Sequence, residues 1–513
     1  MHKAAPRKKD DFFAKMEAQG LALTYADVRL KTGYSETPPS EVLTASKFSR
    51  RVPLKLPMVS AAMDRVTESK TAIELAKRGG LGIIHLGITP EKQAAMVTRV
   101  KLYLNAIIEK PICVRETDTI GAIQQMREEQ GWGFHSFPVV KDDGTLAGVV
   151  SGSDFEFSTD PTRTAAEIMT KTPVTAPAGT DLKTAFDIMM QRKKKFLPLV
   201  DKAGKLTGVY VFSDAKRVLF GGGESARYNV DESGHLRVGA AVGVGEGELE
   251  RVELLVSRNV DVLVIDTAHG DTPRTVQTLQ AIKKRFPQVD VVAGNVSEGE
   301  SAKRLADAGA DGVKVGQGPG AICTTRIVAG IGCPQVTAVY NCEKAIRGYG
   351  IPICADGGIR YAGDVPVALG AGADSVMLGM MLAGTDEAPG EKVIMNGITY
   401  KEFRGMGSLG AMQASKAARE RYRQADSGKA SYFPEGVEGL VLYRGAVGAV
   451  LDQLAEGLRR GMGYVGAKTV DELHEKADFH RLSGAAIEES HPHDVVVTQE
   501  MPNYGPMRRS REV

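Results

Sequence analysis

An α/β fold, a (β/α)₈ TIM barrel interrupted by a smaller inserted domain, is predicted by three observations. Eight short, nearly continuous apolar runs alternate with helix-like stretches, the pattern of parallel strands buried on both faces. A gapless internal repeat falls between the second and third runs. Glycine-rich turns follow several of the runs, on the side where barrel enzymes carry their chemistry.

The runs, in chain order, are "PMVSAAMD" (Pro57 to Asp64), "GIIHLG" (Gly82 to Gly87), "LRVGAAVGV" (Leu236 to Val244), "DVLVIDTAHG" (Asp261 to Gly270), "DVVAGNV" (Asp290 to Val296), "DGVKVGQG" (Asp311 to Gly318), "PICADGG" (Pro352 to Gly358) and "DSVMLG" (Asp374 to Gly379). Stretches such as "ESAKRLADAGA" between them have helical periodicity. An open doubly wound sheet is the alternative, but no run leads into G-x-G-x-x-G.

The repeat pairs "FPVVKDDGTLAGVVSGSD" (Phe137 to Asp154) with "LPLVDKAGKLTGVYVFSD" (Leu197 to Asp214). Each copy reads as strand, polar turn with glycine, strand, then Ser and Asp opening a helix. Two copies make a paired module, since a solenoid would need at least three. The copies resemble a pair of CBS motifs over about Ile108 to Leu219, a family that senses adenine nucleotides. That resemblance gives Asp154 and Asp214 a ribose-binding role, while helix capping alone would also account for both acids. The chain thus divides into a first barrel part (1–107), the inserted pair (108–222) and a second barrel part (223–513), with "FGGGESARYNVDESG" as the returning linker.

A chain of 513 residues with 42% hydrophobic and 25% charged content is a soluble globular protein of more than one domain. Its 65 basic and 63 acidic residues leave a net charge of +2, so no global field favours nucleic acid or an anionic membrane. The local basic runs "APRKKDD" and "QRKKKF" are read as solvated surface. Five scattered cysteines fit neither a disulfide framework nor a zinc pattern, and a reducing cytosol suits them. There is no apolar signal region and no stretch long enough to span a bilayer, so a cytoplasmic location is expected.

The run ends carry Asp266, Asn295, the loop "GPGAICTTR" (Gly318 to Arg326), Asp356 with Gly357 and Gly358, and Gly379. Gly-rich turns after strands expose backbone N–H groups that bind phosphate, which points to a nucleotide monophosphate. Cysteine is most often an inert small hydrophobe, and Cys113 and Cys354 inside strand-like runs are read that way. Cys323 sits instead on a glycine loop with Thr324, Thr325 and Arg326 behind it, where cationic and hydrogen-bonding neighbours favour a thiolate nucleophile.

The ordered segments "SAAMD", "GGLGIIH", "VGAAVGV", "DTAHG", "GNV", "GPGAICTTRIVAGIG", "ADGGIR", "AGTDEAPGE", "RGMGSLGAM", "PEGVEG" and "SGAAIEESHPHD", from about Leu23 to Tyr504, closely resemble the IMP dehydrogenase / GMP reductase family, CBS insert included. The resemblance implies an NAD-dependent oxidation of inosine monophosphate (IMP) to xanthosine monophosphate (XMP), the committed step toward guanine nucleotides. It implies that the Cys323 thiolate adds to C2 of the purine, and that a mobile flap then brings Arg421 and Tyr422 to activate water, with Thr325 and Glu435 as a second proton route. It places Asp356 on the ribose hydroxyls and Gly357, Gly358 and Gly379 on the phosphate. Arg404, Gly405, Met406 and Gly407 join the substrate-binding residues, the last two against the purine, and Glu435 holds the purine edge. Asp266, Asn295, Gly316, Gln317 and Gly318 face the cofactor. Carbonyls of Gly318, Gly320 and Cys323 hold a monovalent cation, K⁺, completed by Glu489, Ser490 and His491 of a neighbouring subunit. This implies a homotetramer, or an octamer, with regulatory adenine or guanine nucleotides at the CBS pair.

Three departures from the family pattern fall on one subsite. Ala321 and Met380 replace serines, and Phe403 replaces a tyrosine, removing three hydroxyls from the phosphate grip. The flap carries two extra residues before Arg421, and Arg423 stands where an aromatic is usual. Two alternatives therefore stand beside IMP dehydrogenase: a related purine nucleotide oxidoreductase with GMP reductase-like or altered substrate, and a nucleotide-binding regulatory protein without catalysis.

Overall fold

The computed structural model describes the chain apart from residues 1–6, 105–106, 109–110, 131–133, 159, 221–223, 423, 425–431 and 499–513. Eight parallel strands close a barrel: β1 (Met58–Ser60), β2 (Leu81–Ile84), β3 (Val238–Val242), β4 (Val262–Asp266), β5 (Asp290–Val296), β6 (Gly312–Val315), β7 (Ile353–Asp356) and β8 (Ser375–Leu378). The barrel closes where Val376 of β8 pairs with Met58 of β1. Apart from Asp356, every residue of these strands is buried, which is why each is written as an unbroken apolar run. The strands are shorter than the runs because the run ends, such as "TAHG" after β4, leave the ladder as loops at the barrel mouth.

Each strand is followed by a covering helix: α1 (Ser69–Lys77), α2 (Pro90–Lys101), α3 (Glu248–Ser257), α4 (Pro273–Arg285), α5 (Gly299–Asp307), α6 (Gln335–Ile346), α7 (Asp364–Ala371) and α8 (Val447–Val465). The ends of α4 show how local sequence sets such a helix. The Thr272 side chain accepts from Thr275 N at 3.2 Å, Pro273 supplies a pre-set φ at the first position, and Lys283, Lys284 and Arg285 face the negative end of the dipole.

At the opposite end of the barrel an N-terminal helix, Lys8–Ala18, lies against α6, with Phe13 stacked on Tyr340 at 3.9 Å. The basic run expected to be solvated is here part of the packing. Lys9 is fully buried and donates to Gly370 O at 3.0 Å, Arg7 pairs with Glu343 at 2.7 Å, and Arg347 bonds both Asp10 and Glu343. The aromatic residues that follow draw these cations inward, and each finds an acceptor there, as buried charge requires.

Residues 101–226 with 232–236 form a second compact unit. It contains two small sheets, and the repeat reappears in their registers. Phe137 pairs with Val150 in one and Leu197 with Tyr210 in the other, with an irregularity after Val139 and after Leu199 at equivalent places. Each half has its own core, Ile123, Phe137, Val139 and Val150 in the first, Met189, Leu197, Leu199 and Tyr210 in the second. Asp154 accepts from Ser151 N and Ser151 Oγ, both at 2.7 Å, and so caps the helix Gly152–Glu156.

Candidate active site

A cavity of about 630 Å³ opens at the C-terminal ends of the barrel strands. It gathers Cys323, Thr325, Asp266, Asn295, Gly316, Gln317, Gly318, Gly320, Ala321, Asp356, Gly357, Gly358, Gly379, Met380, Phe403, Gly405, Met406, Arg421, Tyr422 and Glu435. Residues spread over more than 150 positions thus face one space, as expected where successive strand ends converge.

The floor is charged. Lys314 projects from the middle of β6 and is almost wholly buried. Its ammonium donates to Asp266 Oδ1 at 2.8 Å, to Asp356 Oδ2 at 2.8 Å and to Asn295 Oδ1. Asn295 in turn donates to Asp356 Oδ2 at 2.9 Å and to Gly316 O at 2.7 Å. Asp356 is thereby held with its carboxylate at the cavity floor, where two vicinal hydroxyls could donate to it. Gly316, at φ +149°, has no room for a side chain because a Cβ would overlap the carbonyl of Asp356.

The loop bearing Cys323 is held at both ends. Arg326 donates through Nε to Gln317 O at 3.1 Å and through Nη2 to Cys333 O at 2.5 Å, tying the start of the loop to its return. On the other side Thr324 N donates to Glu435 O at 3.1 Å, Val437 N to Ile322 O at 3.0 Å, Glu435 N to Gly407 O at 2.9 Å and Gly405 N to Val437 O at 3.0 Å. Three segments far apart in sequence, 322–324, 435–437 and 405–407, are laced together by these backbone bonds. They present the partly exposed Cys323 Sγ 3.1 Å from Thr325 Oγ1. Burial pushes the other four thiols up, Cys333 to about 11 and Cys354 to about 12, which keeps them protonated and inert.

Over this loop stands the helix Lys416–Arg421. Arg421 Nη1 contacts the second oxygen of Asp266, and the Arg421 carbonyl accepts from Ala268 N at 3.3 Å. The Tyr422 ring packs onto Gly407, where any side chain would collide with it. Burial pushes the Tyr422 phenol up, against the opposing pull of the Arg421 guanidinium, so it stands as a neutral hydrogen-bonding group.

The far end of the cavity is apolar. A side chain at Gly379 would meet Met63 Sδ at 3.5 Å, Ala61 Cβ at 3.8 Å and the Phe403 ring at 4.0 Å. With Ala321 and Met380 also lining it, this end offers backbone amides but none of the hydroxyls removed by the three substitutions.

Of the residues expected at the site, Arg404 and Gly407 lie outside the lining. Arg404 turns to pair with Asp64, and Gly407 supports Tyr422 from behind. Glu489, Ser490 and His491 end a separate surface helix, with the His491 ring 5.9 Å from Tyr361. Arg423 falls outside the described residues. Lys314 was missed in the sequence, although one lysine inside an apolar strand run, "GVKVG", is a signal that a buried cation serves the barrel interior.

A family model described as the IMP dehydrogenase / GMP reductase domain matches residues 22–493. The chain is 48% identical to the inosine-5'-monophosphate dehydrogenase of Aquifex aeolicus, over 94% of this chain and 97% of that protein. It is 44% identical to the enzyme of the same name from Halalkalibacterium halodurans, over 96% and 99%. A crystal structure of GMP reductase from Trypanosoma brucei in complex with guanosine 5'-monophosphate superimposes with a TM-score of 0.79 at 37% identity, covering 94% of this chain and all of that one.

Proposed function

The chain belongs to the IMP dehydrogenase / GMP reductase family, and from that premise we propose that it oxidises IMP to XMP with NAD⁺ and water, releasing NADH and a proton. The observation that carries this reading is the placement of Cys323, Thr325, Glu435, Arg421 and Tyr422 around one cavity whose floor is Asp356.

Asp356 accepts hydrogen bonds from the ribose hydroxyls, and the amides of Gly357, Gly358 and Gly379 take the phosphate. Met406 backs the purine and Glu435 holds its edge. Cys323 Sγ forms a bond to purine C2, the hydrogen at that carbon leaves as hydride, and a thioimidate remains on the enzyme. Water then attacks the same carbon, loses a proton, and the C–S bond breaks to free XMP and the thiol. NAD supplies the hydride acceptor when bound, and Asp266, Asn295 and the Gly316–Gly318 turn fit its nicotinamide end as amide-recognising hydrogen-bonding groups. Arginine is a poor base in water because its pKa is above about 12. Docking between Asp266 and Ala268, away from bulk solvent, gives Arg421 the fixed setting such a role needs.

Backbone carbonyls of Gly318, Gly320 and Cys323 are hard oxygen donors suited to K⁺, with Glu489, Ser490 and His491 of the partner subunit completing the shell in a homotetramer or octamer. Residues 108–222 are a CBS pair that takes adenine or guanine nucleotides and regulates a cytoplasmic enzyme.

The test is NADH absorbance from the purified chain with IMP, NAD⁺ and K⁺, repeated with Cys323→Ala. The expected loss is about 10⁴-fold or more, the scale for removing a nucleophile, with folding unchanged. Turnover of GMP with release of ammonia would favour the reductive reading suggested by the Trypanosoma brucei likeness, against which the docked Arg421 and Tyr422 speak. No turnover with any purine, together with nucleotide binding to the CBS pair, would leave only a regulatory role.

A further inference from the structure

The three N–H groups of the Lys314 ammonium are all committed, to Asp266 Oδ1, Asp356 Oδ2 and Asn295 Oδ1, so the cation has one fixed position. Two carboxylates, the buried Asp266 and the half-buried Asp356, share this single lysine, which leaves one unmatched negative charge on the cavity floor. Arg421 supplies the match, and it does so narrowly. Its Nη1 contacts Asp266, while its buried Nε has no partner among the described residues. Beside the bond from Ala268 N to the Arg421 carbonyl, docking of the flap helix therefore depends on where the second oxygen of Asp266 points, and Lys314 fixes that by gripping the first.

We propose that Lys314 is a positioning residue for the water-activating half of the reaction: from inside the barrel it orients Asp266 so that Arg421 can dock, and it ties that docking carboxylate to the ribose-binding Asp356. Asp356, Lys314, Asp266 and Arg421 then form one line of alternating charge from substrate to flap. The inference rests on the reaction assigned above for its kinetic consequence, but not for the docking itself.

Limited trypsinolysis reads the docking without turnover, because Lys416, Arg419 and Arg421 are cleavage sites on the flap helix. Lys314→Met is expected to raise cleavage there about tenfold, the scale of one charge-assisted hydrogen bond, with cleavage elsewhere unchanged. Lys314→Arg, which keeps the charge and can bridge two carboxylates, should stay within about threefold of the wild type. In rapid mixing with IMP and NAD⁺, Lys314→Met should lower steady-state kcat by about tenfold or more beyond any loss in the initial burst of NADH. Combined with Asp266→Asn, it should add nothing to the effect of Asp266→Asn alone. Equal losses in burst and steady state, with flap cleavage unchanged, would mean that Lys314 only supports the barrel and would overturn the proposal. If Lys314→Met does not fold by circular dichroism, Lys314→Gln replaces it with the same expectations. A wild-type chain that yields no NADH from IMP overturns the assigned reaction, while the protease comparison still decides the role of Lys314.

Discussion

At the mouth of the barrel Lys314 is shared by Asp266 and Asp356, and the remaining negative charge faces a cavity, where Arg421 contacts it. At the opposite end Arg7 and Arg347 both hold Glu343, Arg347 and Tyr340 hold Asp10, and Lys9 ends on a backbone carbonyl. Burial lowers Lys9 to about 8, and although burial also pushes Asp10 upward, hydrogen bonds from Arg347 and Arg7 keep it well below the usual carboxylate range. Both clusters bury charge, yet the first leaves a charge that faces the cavity, where Arg421 meets it. Charge matched within the fold holds elements together, whereas charge matched by a moving segment or a ligand couples that partner to the fold.

The largest effect that would sharpen this contrast is at the mouth. Tyr422→Phe should lower steady-state turnover by about 10²- to 10⁴-fold, the range for losing a positioned proton-transfer group, with the NADH burst and the unfolding midpoint intact. A parallel loss of the burst would show that Tyr422 serves binding and would erase the division of labour.

Next is the opposite end. Glu343→Gln strips a nearly buried carboxylate from between two arginines and should cost about 3 to 5 kcal/mol of stability, the scale for breaking a buried pair on one side. Urea unfolding would read that cost, and activity per folded molecule should stay constant. A variant as stable as the wild type but slow would break the comparison.

The smallest effect is in pH dependence. Burial lowers His474 to about 4 and raises Asp374 to about 7, and both lie by the start of β8. His474 is neutral when folded, so its stabilising contribution is complete above 6.5 and fades as pH falls toward 4. Asp374 is protonated when folded, so its contribution is complete below 3.8 and fades as pH rises toward 7. The two slopes oppose each other between 4 and 6.5. Thermal midpoints of Asp374→Asn across that window should therefore climb with pH more steeply than those of the wild type, and those of His474→Gln should decline. Unchanged slopes in both variants would remove these groups from the account.

The barrel was legible because strands buried on both faces must be written as apolar runs, and each of the eight runs became a strand. The cavity-lining side chains were legible where they end those strands, as Asp266 and Asp356 do. Lys314 was not, because a polar residue inside an apolar run reads as an interruption until its three acceptors, from three other strands, are in view. The cluster around Glu343 was hidden for a different reason. Arg7 and Glu343 lie 336 positions apart, and nothing local in "APRKKDD" distinguishes a buried lysine from a solvated one. Arg404 shows the converse limit, since the family resemblance of its motif predicts a substrate-binding residue but cannot say that the guanidinium turns aside to Asp64.

Strands β2 and β3 pair side by side, Ile83 against Gly239, although the whole second unit is threaded between them. During synthesis the first two staves of the barrel must therefore wait for their neighbour while roughly 150 further residues emerge, on the order of ten seconds at typical elongation rates. Throughout that interval an apolar hairpin of strand and helix has no lateral partner and is open to capture by other nascent chains. A self-contained insert with its own two cores can fold meanwhile, shortening the effective loop that the late closure has to span.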